Sequence, residues 1–411
     1  MATKRRVVVT GMGLICANGI GAKDVWDRCL SAHNAIRGIT RFDSNAYACK
    51  AGGEIDNFNP STYVQPQIIQ QTDRSAHLGM AACQLAADDA GLDLKNEDPR
   101  QVGMYFSNLV GGMEFAEPEL YAQTFMGPSR VNAYQAIAWF YAAAQGQWSI
   151  KTGIKGHAKT VVADRTGGLQ SVGLAAHAIR RGHCSVAFAG GFEAPIVPYA
   201  FLMYGTTGLL SKDTTDPLRS YRPFHRQRTG LVLGEGSGIL ILEDLEHAQE
   251  RNARIYAEVT GFAVAMDAPQ DMPGSGLARC FRETLGSSTL EPQDIDHISA
   301  EGAGTVSDDS AEFAAIQDVF GGVAKAPSVS SPKSMFGHTL AAAGAVDAGL
   351  ACRMIEANTT LPTLNLDEPD PSFTNANFSR VAEQKSLNAV MCSSRGIGGL
   401  NAALLLRRYA Q

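Results

Sequence analysis

Short apolar runs alternate with longer helical stretches along almost the whole chain, and this alternation limits the possible folds more than any other feature of the sequence. Strands that alternate with helices are typical of α/β proteins. The predicted strands cover residues 6–10, 102–107, 160–163, 185–189, 238–242, 256–263, 297–300, 328–330, 389–392 and 402–407. The predicted helices cover residues 73–90, 133–147, 168–180, 309–319 and 338–357, with several shorter ones.

Glycine clusters punctuate this alternation, and we interpret them as breaks between elements because glycine favours turns. They are Gly11-Met12-Gly13, Gly190-Gly191, Gly234-Glu235-Gly236 and Gly396-Ile397-Gly398-Gly399. The first cluster does not match a dinucleotide-binding loop, because its third glycine is out of register and no acidic residue follows at the right distance.

One pattern occurs twice in the chain. Residues 161–180 read as a strand, a turn and a helix of small residues, and residues 329–355 repeat that order, with His338 opening the second helix. The similarity is one of architecture rather than of letters. It predicts two related halves, 1–252 and 253–411, which share one core because no low-complexity linker separates them.

Composition excludes several classes of function. The net charge is −6 and the Lys and Arg residues are scattered, which argues against a nucleic-acid partner, although an acidic partner could dock on a local basic patch. No apolar run approaches the length of a membrane span, so no membrane partner is expected. The eight cysteines stand singly, which favours buried thiols in a reducing cytoplasm over disulfides or a metal site.

Six segments together resemble the β-ketoacyl-acyl-carrier-protein synthases, and they occur in the family's order from end to end. They are Val7-Val8-Val9-Thr10-Gly11-Met12-Gly13, Gly190-Gly191-Phe192-Glu193-Ala194-Pro195, Arg222-Pro223-Phe224, Gly234-Glu235-Gly236-Ser237-Gly238, Pro332-Lys333-Ser334-Met335-Phe336-Gly337-His338 and Gly398-Gly399-Leu400-Asn401. The resemblance implies an α/β architecture, the thiolase fold, with two related halves in five layers (α-β-α-β-α) and an obligate dimer.

The residues that carry catalysis in that family are mostly replaced. Condensing members use a cysteine nucleophile and two histidines. The cysteine position falls on Arg165 and the first histidine position on Glu301, whereas the second histidine is retained as His338. The family lysine is retained as Lys333. A guanidinium cannot attack an acyl carbon, although the predicted helix N-terminus at this turn would stabilise a thiolate. We therefore expect no intact catalytic site and no condensation by this chain alone.

A closer resemblance is to the chain length factor, the non-catalytic partner subunit of type II polyketide ketosynthases. Residues 111–120 and 138–147 are similar to its gating region, and Arg395 stands where active synthases tend to carry Phe. Two features depart from the pattern. Chain length factors usually carry Gln at the position of Arg165, and they often lack the equivalents of Lys333 and His338.

The resemblance implies that Gly112, Met113, Phe115 and Phe140 line or gate a substrate tunnel at the subunit interface. Bulky side chains there would stop a growing chain early, and small ones would let it extend. The alternative is simple interface packing, in which Met and aromatic side chains are common.

The implied function is a binding and shaping subunit in type II polyketide biosynthesis. It would pair with a catalytic ketosynthase, and the phosphopantetheine arm of an acyl carrier protein would enter mainly through that partner, so no cofactor or metal of its own is expected. A second hypothesis is a malonyl-carrier decarboxylase that uses His338 and Lys333. A third is a homodimeric condensing enzyme with another nucleophile. The product, its length and the partner's identity stay open.

Arg165 and Glu301 replace two groups that face each other in the family's active site, so we predict a buried ion pair between them. The alternative is that Arg165 pairs with its neighbour Asp164. His338 could equally be a structural histidine that shapes its turn. Cys184, beside a predicted strand, is expected to be a buried and inert thiol.

Overall fold

The structure, a computed structural model, describes residues 5–268 and 270–410, so residues 1–4, 269 and 411 of the two predicted halves lie outside it. Its strands are β1 (Val7–Cys16), β2 (Gly19–Ile20), β3 (Arg37–Gly38), β4 (Ala51–Gly52), β5 (Val102–Ser107), β6 (Ala158–Val161), β7 (Val186–Glu193), β8 (Gly236–Asp244), β9 (Ala257–Met266), β10 (His297–Ser299), β11 (Ser328–Ser330), β12 (Thr359–Thr360), β13 (Glu383–Gln384), β14 (Ala389–Arg395) and β15 (Leu400–Arg407). Every predicted strand overlaps one of these.

The helices flank these strands along the chain. They are α1 (Ala22–Leu30), α2 (Pro66–Gln71), α3 (Arg74–Ala90), α4 (Met113–Phe125), α5 (Gln135–Ala138), α6 (Ala143–Thr152), α7 (Gly167–Arg180), α8 (Pro198–Thr206), α9 (Leu245–Glu250), α10 (Ser275–Gly286), α11 (Val306–Phe320) and α12 (Ala343–Ala357). Among the described residues, no helix is both long and apolar enough to cross a membrane.

The strand order repeats itself, which confirms the predicted α/β class with two related halves. The main path runs β11-β10-β14-β15-β9-β1-β8-β7-β5-β6. From each end inward, two parallel pairings are followed by two antiparallel ones. The two arrays meet where β1 pairs with β9 through only two residue pairs. The exact boundary at residues 252 and 253 stays a prediction.

Helices α7 and α12 pack against each other and against strands of both halves, whereas α3 and α10 cover the outer faces. A helix enclosed on all sides needs small or apolar residues around its whole circumference. In α12 this is met by an Ala- and Gly-rich sequence that is buried almost throughout. A Cβ added at Gly344 would lie 2.6 Å from the Leu169 side chain. The repeated small-residue helices of the sequence are therefore the central layer.

Several glycines that we interpreted as breaks lie inside strands. Gly11 and Gly13 belong to β1, and Gly190 and Gly191 belong to β7. They permit close approach rather than a turn, since a Cβ at Gly13 would lie 2.0 Å from the Ala82 carbonyl oxygen of α3. The cluster at residues 396–399 does form a turn, with positive φ at its last two glycines.

Two predicted helices differ from the structure. The helix expected over residues 133–147 is broken into α5 and α6, because the Trp139 carbonyl accepts a hydrogen bond from Gly112 N at 3.1 Å instead of continuing the helix. The helix expected from His338 begins as an α-helix only at Ala343. His338 lies before a short 3-10 turn, Leu340–Ala342.

Replacing Gly13 by Ala should lower the free energy of unfolding by roughly 1–3 kcal/mol, because the new methyl group would overlap the backbone of α3. Gly146→Ala in α6 is the matched control, since its new methyl group would meet no other atom within 4 Å. Urea denaturation of both variants measures the difference. Equal stabilities would contradict this packing of α3 on β1.

Candidate functional site

Arg165 lies in a 3-10 turn, Asp164–Thr166, between β6 and α7. The sequence predicted this strand-turn-helix junction. The predicted ion pair required Arg165 to be buried, and only 1% of this residue is exposed. A cation this deeply buried requires carboxylates close by.

Three carboxylates surround the Arg165 guanidinium. Its Nη2 donates a hydrogen bond to Asp308 Oδ2 at 3.1 Å. Its Nη1 lies 3.5 Å from Glu301 Oε1, and its Nε lies 3.8 Å from Asp164 Oδ2. Burial disfavours the charged form, but Glu301, Asp308 and Asp164 together raise the pKa of Arg165.

Both pairings that the sequence suggested are thus present as ionic contacts, but the hydrogen bond goes to a residue we had not singled out. Asp308 lies in the first turn of α11, and acidic residues are common there because they favour the helix dipole. Because an acidic residue is common at that position, the sequence did not indicate that Asp308 binds Arg165.

Glu301 binds His338 more closely than it binds Arg165. Its Oε1 lies 2.8 Å from His338 Nε2, and the Leu340 N–H donates to His338 Nδ1 at 3.0 Å. Because Nδ1 accepts, the proton of the imidazole is on Nε2 and points at the carboxylate. Burial opposes ionisation of Glu301, but His338, Arg165 and Lys333 lower its pKa to about 2.

Lys333 is fully buried and already paired. Its Nζ contacts Asp347 of α12 and donates to the Ala300 carbonyl at 3.0 Å. Burial alone would lower the pKa of Lys333, but Asp347 and Glu301 offset this effect and raise it. The sequence identified Lys333, but it gave no indication of Asp347, which lies within a run of helix-forming residues.

Arg395 extends the network to the loop after β14. Its Nη1 lies 2.6 Å from Asp267 Oδ2, and its Nε lies 3.4 Å from Asp308 Oδ1. Asp308 therefore contacts two arginines at once. We name this set the buried ion chain, and its members in spatial order are Glu301, Arg165, Asp308, Arg395 and Asp267.

Asp164 also binds the loop that follows Arg395. Its Oδ2 accepts a hydrogen bond from the Ile397 N–H at 2.5 Å, and its Oδ1 accepts one from Tyr204 at 3.5 Å. A Cβ at Gly396 would lie 2.8 Å from that carboxylate. The loop that follows Arg395 is therefore held against the turn that carries Arg165.

The predicted tunnel residues do not share one surface. Met113 packs beside a buried cluster that contains Leu340 and Tyr204, the tyrosine that donates to Asp164. Phe115 is half-buried and instead lines a cavity of about 350 Å³ with Phe58.

Gly112 and Phe140 differ from both of these. A Cβ at Gly112 would lie 1.9 Å from the Ala138 carbonyl oxygen, so Gly112 joins the two gating segments by close packing. Phe140 is 52% exposed, in the break between α5 and α6. The roles of all four residues stay predictions.

Two buried carboxyl groups that the sequence analysis missed anchor the first gating segment. Glu193 accepts hydrogen bonds from the backbone N–H groups of Leu109 and Val110, and burial raises its pKa to about 8. Asp73 accepts one from Phe115 N at 2.9 Å, and burial raises its pKa to about 6. A buried carboxylate without a facing cation is unusual enough to mark such anchors, but only after the fold is known.

All eight cysteines are free and buried. Burial raises the pKa of Cys184 to about 11, which agrees with an inert thiol. Among the described residues, no group of three or more His, Cys, Asp and Glu side chains could hold a metal ion. A cytoplasmic location stays a prediction.

Two family profiles match most of the chain. The one described as Beta-ketoacyl synthase, N-terminal domain, matches residues 4–248, and the one described as Beta-ketoacyl synthase, C-terminal domain, matches residues 256–367. The tetracenomycin polyketide synthase ketoacyl synthase beta subunit of Streptomyces glaucescens is 34% identical over 411 residues, which is 100% of both chains. The 3-oxoacyl-[acyl-carrier-protein] synthase 2 of Coxiella burnetii is 33% identical and covers 98% of this chain and 99% of its own.

Solved structures match equally well. The ishigamide ketosynthase/chain length factor has a TM-score of 0.91 and 32% identity, over 99% of this chain and 100% of that one. AntDE:AntF, a type II PKS acyl-carrier protein in complex with its ketosynthase bound to the hexaketide, has a TM-score of 0.90 and 26% identity, with the same coverage. These matches confirm the thiolase fold and the predicted resemblance.

Replacing Arg165 by Met should lower the free energy of unfolding by about 3–5 kcal/mol, because it leaves buried carboxylates without their cation. Adding Glu301→Gln or Asp308→Asn should recover part of that loss. Arg219→Met is the matched control, since Arg219 and Asp367 form an exposed pair worth about 1 kcal/mol or less. Chemical denaturation measures all four variants. A loss at Arg165 no larger than at Arg219 would contradict the ion chain.

Proposed function

The chain belongs to the β-ketoacyl synthase family, and from that membership we propose that it is a chain length factor. It pairs with a catalytic β-ketoacyl-ACP synthase and shapes the tunnel that sets polyketide length. One observation carries this proposal. The position of the family's nucleophile holds an arginine with 1% exposure, fixed among three carboxylates.

Condensation begins when a nucleophile attacks an acyl thioester. Arg165 is protonated and has no free electron pair to donate, and its carboxylate partners hold it in that form. No cysteine is exposed to replace it, since all eight are buried. These facts favour a non-catalytic subunit over a homodimeric condensing enzyme with another nucleophile.

The decarboxylase alternative requires donors that stabilise the enolate left by carbon dioxide. Its candidates are His338 and Lys333. The Nε2 proton of His338 points at Glu301, and Lys333 is bound by Asp347. The Glu301 carboxylate would also repel an enolate formed beside it. The same contacts therefore support the shaping role.

Overall similarity does not separate these functions, because the relatives include both a ketoacyl synthase beta subunit and a 3-oxoacyl-[acyl-carrier-protein] synthase 2 at nearly equal identity. The chemistry of residues 165 and 301 is what separates them. Solved neighbours pair a ketosynthase with a chain length factor and with an acyl-carrier protein. For this chain we propose the same partners, with the phosphopantetheine arm entering through the catalytic subunit.

Met113 and Phe115 are the proposed length-setting side chains. Both are at the start of α4, whose backbone is anchored by the buried Asp73 carboxyl, so a change of side chain should alter volume without moving the helix. Met113 borders the cluster that contains Tyr204 and Leu340, and Phe115 borders a cavity of about 350 Å³ into which a longer chain could extend.

Phe115→Ala should lengthen the main product by one or more ketide units, because it removes a ring that lines that cavity. The measurement is mass spectrometry of products made by the variant together with its catalytic ketosynthase and carrier protein. Phe125→Ala is the matched control, since it removes the same ring from the exposed end of α4. Unchanged product length in Phe115→Ala and Met113→Ala would contradict the proposal.

A further inference from the structure

Strand β6 forms one end of the main sheet, so one of its edges has no strand beside it among the described residues. Its first two residues are exposed, and so is Val162, which follows it, at 54%. Leu174 on the neighbouring α7 is 38% exposed. An open edge with apolar neighbours readily pairs with another strand, whether in a copy of the same chain or in a different partner.

The sequence around this edge is strongly one-sided in charge. Residues 120–192 contain seven Lys and Arg residues and a single acidic residue, Asp164, although the whole chain has a net charge of −6. The basic residues are Arg130, Lys151, Lys155, Lys159, Arg165, Arg180 and Arg181, of which Arg165 is buried and adds no charge to the edge. Asp164 is already engaged by Ile397 and lies near Arg165. The edge therefore has no free acidic side chain from its own segment.

A cleft of about 520 Å³ lies beside β6, and some of these basic side chains line it. Lys159 and Arg181 line it together with His157 and His183. Lys159 and Arg181 are both exposed, and neither has a carboxylate within 4 Å in the described part of the chain. We name the surface formed by β6 and this cleft the basic edge.

We propose that the basic edge selects the partner subunit: it binds a protein whose facing strand edge carries carboxylates, and it disfavours pairing with a second copy of this chain. In a two-fold pairing, each residue at the interface occurs on both sides, so the same cations would face each other. Like charges at an interface suppress the wrong partner, whereas opposite charges favour the right one. The identification of that partner as a catalytic ketosynthase rests on the proposed function.

To test this proposal, a charge-reversed copy of the chain serves as the acidic partner. A copy carrying Lys159→Glu and Arg181→Glu is co-expressed with the wild-type chain under a different affinity tag, and native mass spectrometry counts the dimers. We expect the mixed dimer to exceed the wild-type homodimer by about tenfold or more, and this excess to shrink at high salt because salt screens exposed charges.

Arg28→Glu with Arg380→Glu is the matched control, since it makes the same charge change at exposed positions on other elements. It should form no more mixed dimer than wild type does. The neutral variant Lys159→Gln with Arg181→Gln removes the repulsion without adding acidic groups. If it folds, it should form more homodimer than the wild-type chain does. A mixed-dimer yield equal to that of the control would overturn the proposal.

A second outcome would also overturn it. If the charge-reversed pair leaves subunit pairing unchanged but weakens binding of an acidic acyl carrier protein, the basic edge is a carrier-docking surface instead. None of these readouts depends on product length. If the mixed dimer does not exceed the control, the chain length proposal is unaffected. If the Phe115 variant makes unchanged products, the proposal for the basic edge is unaffected.

Discussion

A guanidinium with 1% exposure must be neutralised where it lies, and this constraint organises the centre of the molecule. The carboxylates that neutralise Arg165 come from the turn before α7, the loop after β10 and the first turn of α11. Arg395, the last residue of β14, then links Asp308 to Asp267, which follows β9. Segments distant in sequence from both halves of the chain are thereby held together by charge.

The same contacts decide the chemistry. In a condensing enzyme this pocket needs a nucleophile and free N–H donors. Here a cation stands at the position that the family resemblance assigns to the nucleophile, and Glu301 accepts a hydrogen bond from Nε2 of His338, the retained histidine of the family's pattern. A cavity for substrate is then best supplied elsewhere, and the anchored start of α4 offers side chains that could shape it. The proposed loss of condensation and the proposed control of chain length both rest on the residues present at positions 165 and 301.

The sequence predicted the longer strands well because most of them carry an apolar run, and it predicted the repeated central helices from their small residues. It was wrong where long-range contacts override local preference, as in the helix broken beside Gly112 and the glycines of β1 that make room for α3. Arg165, Glu301 and His338 could be found because they replace or retain residues of a known pattern. Asp308, Asp347 and Glu193 could not, since acidic residues give no local signal of burial.

The most direct measurement is the intact mass of each subunit after the complex with its catalytic ketosynthase has been incubated with an acyl-carrier thioester. We expect an acyl adduct on the partner and an unchanged mass for this chain, because the Arg165 guanidinium cannot accept the acyl group. An adduct on this chain, formed at a rate that supports turnover, would contradict a non-catalytic role.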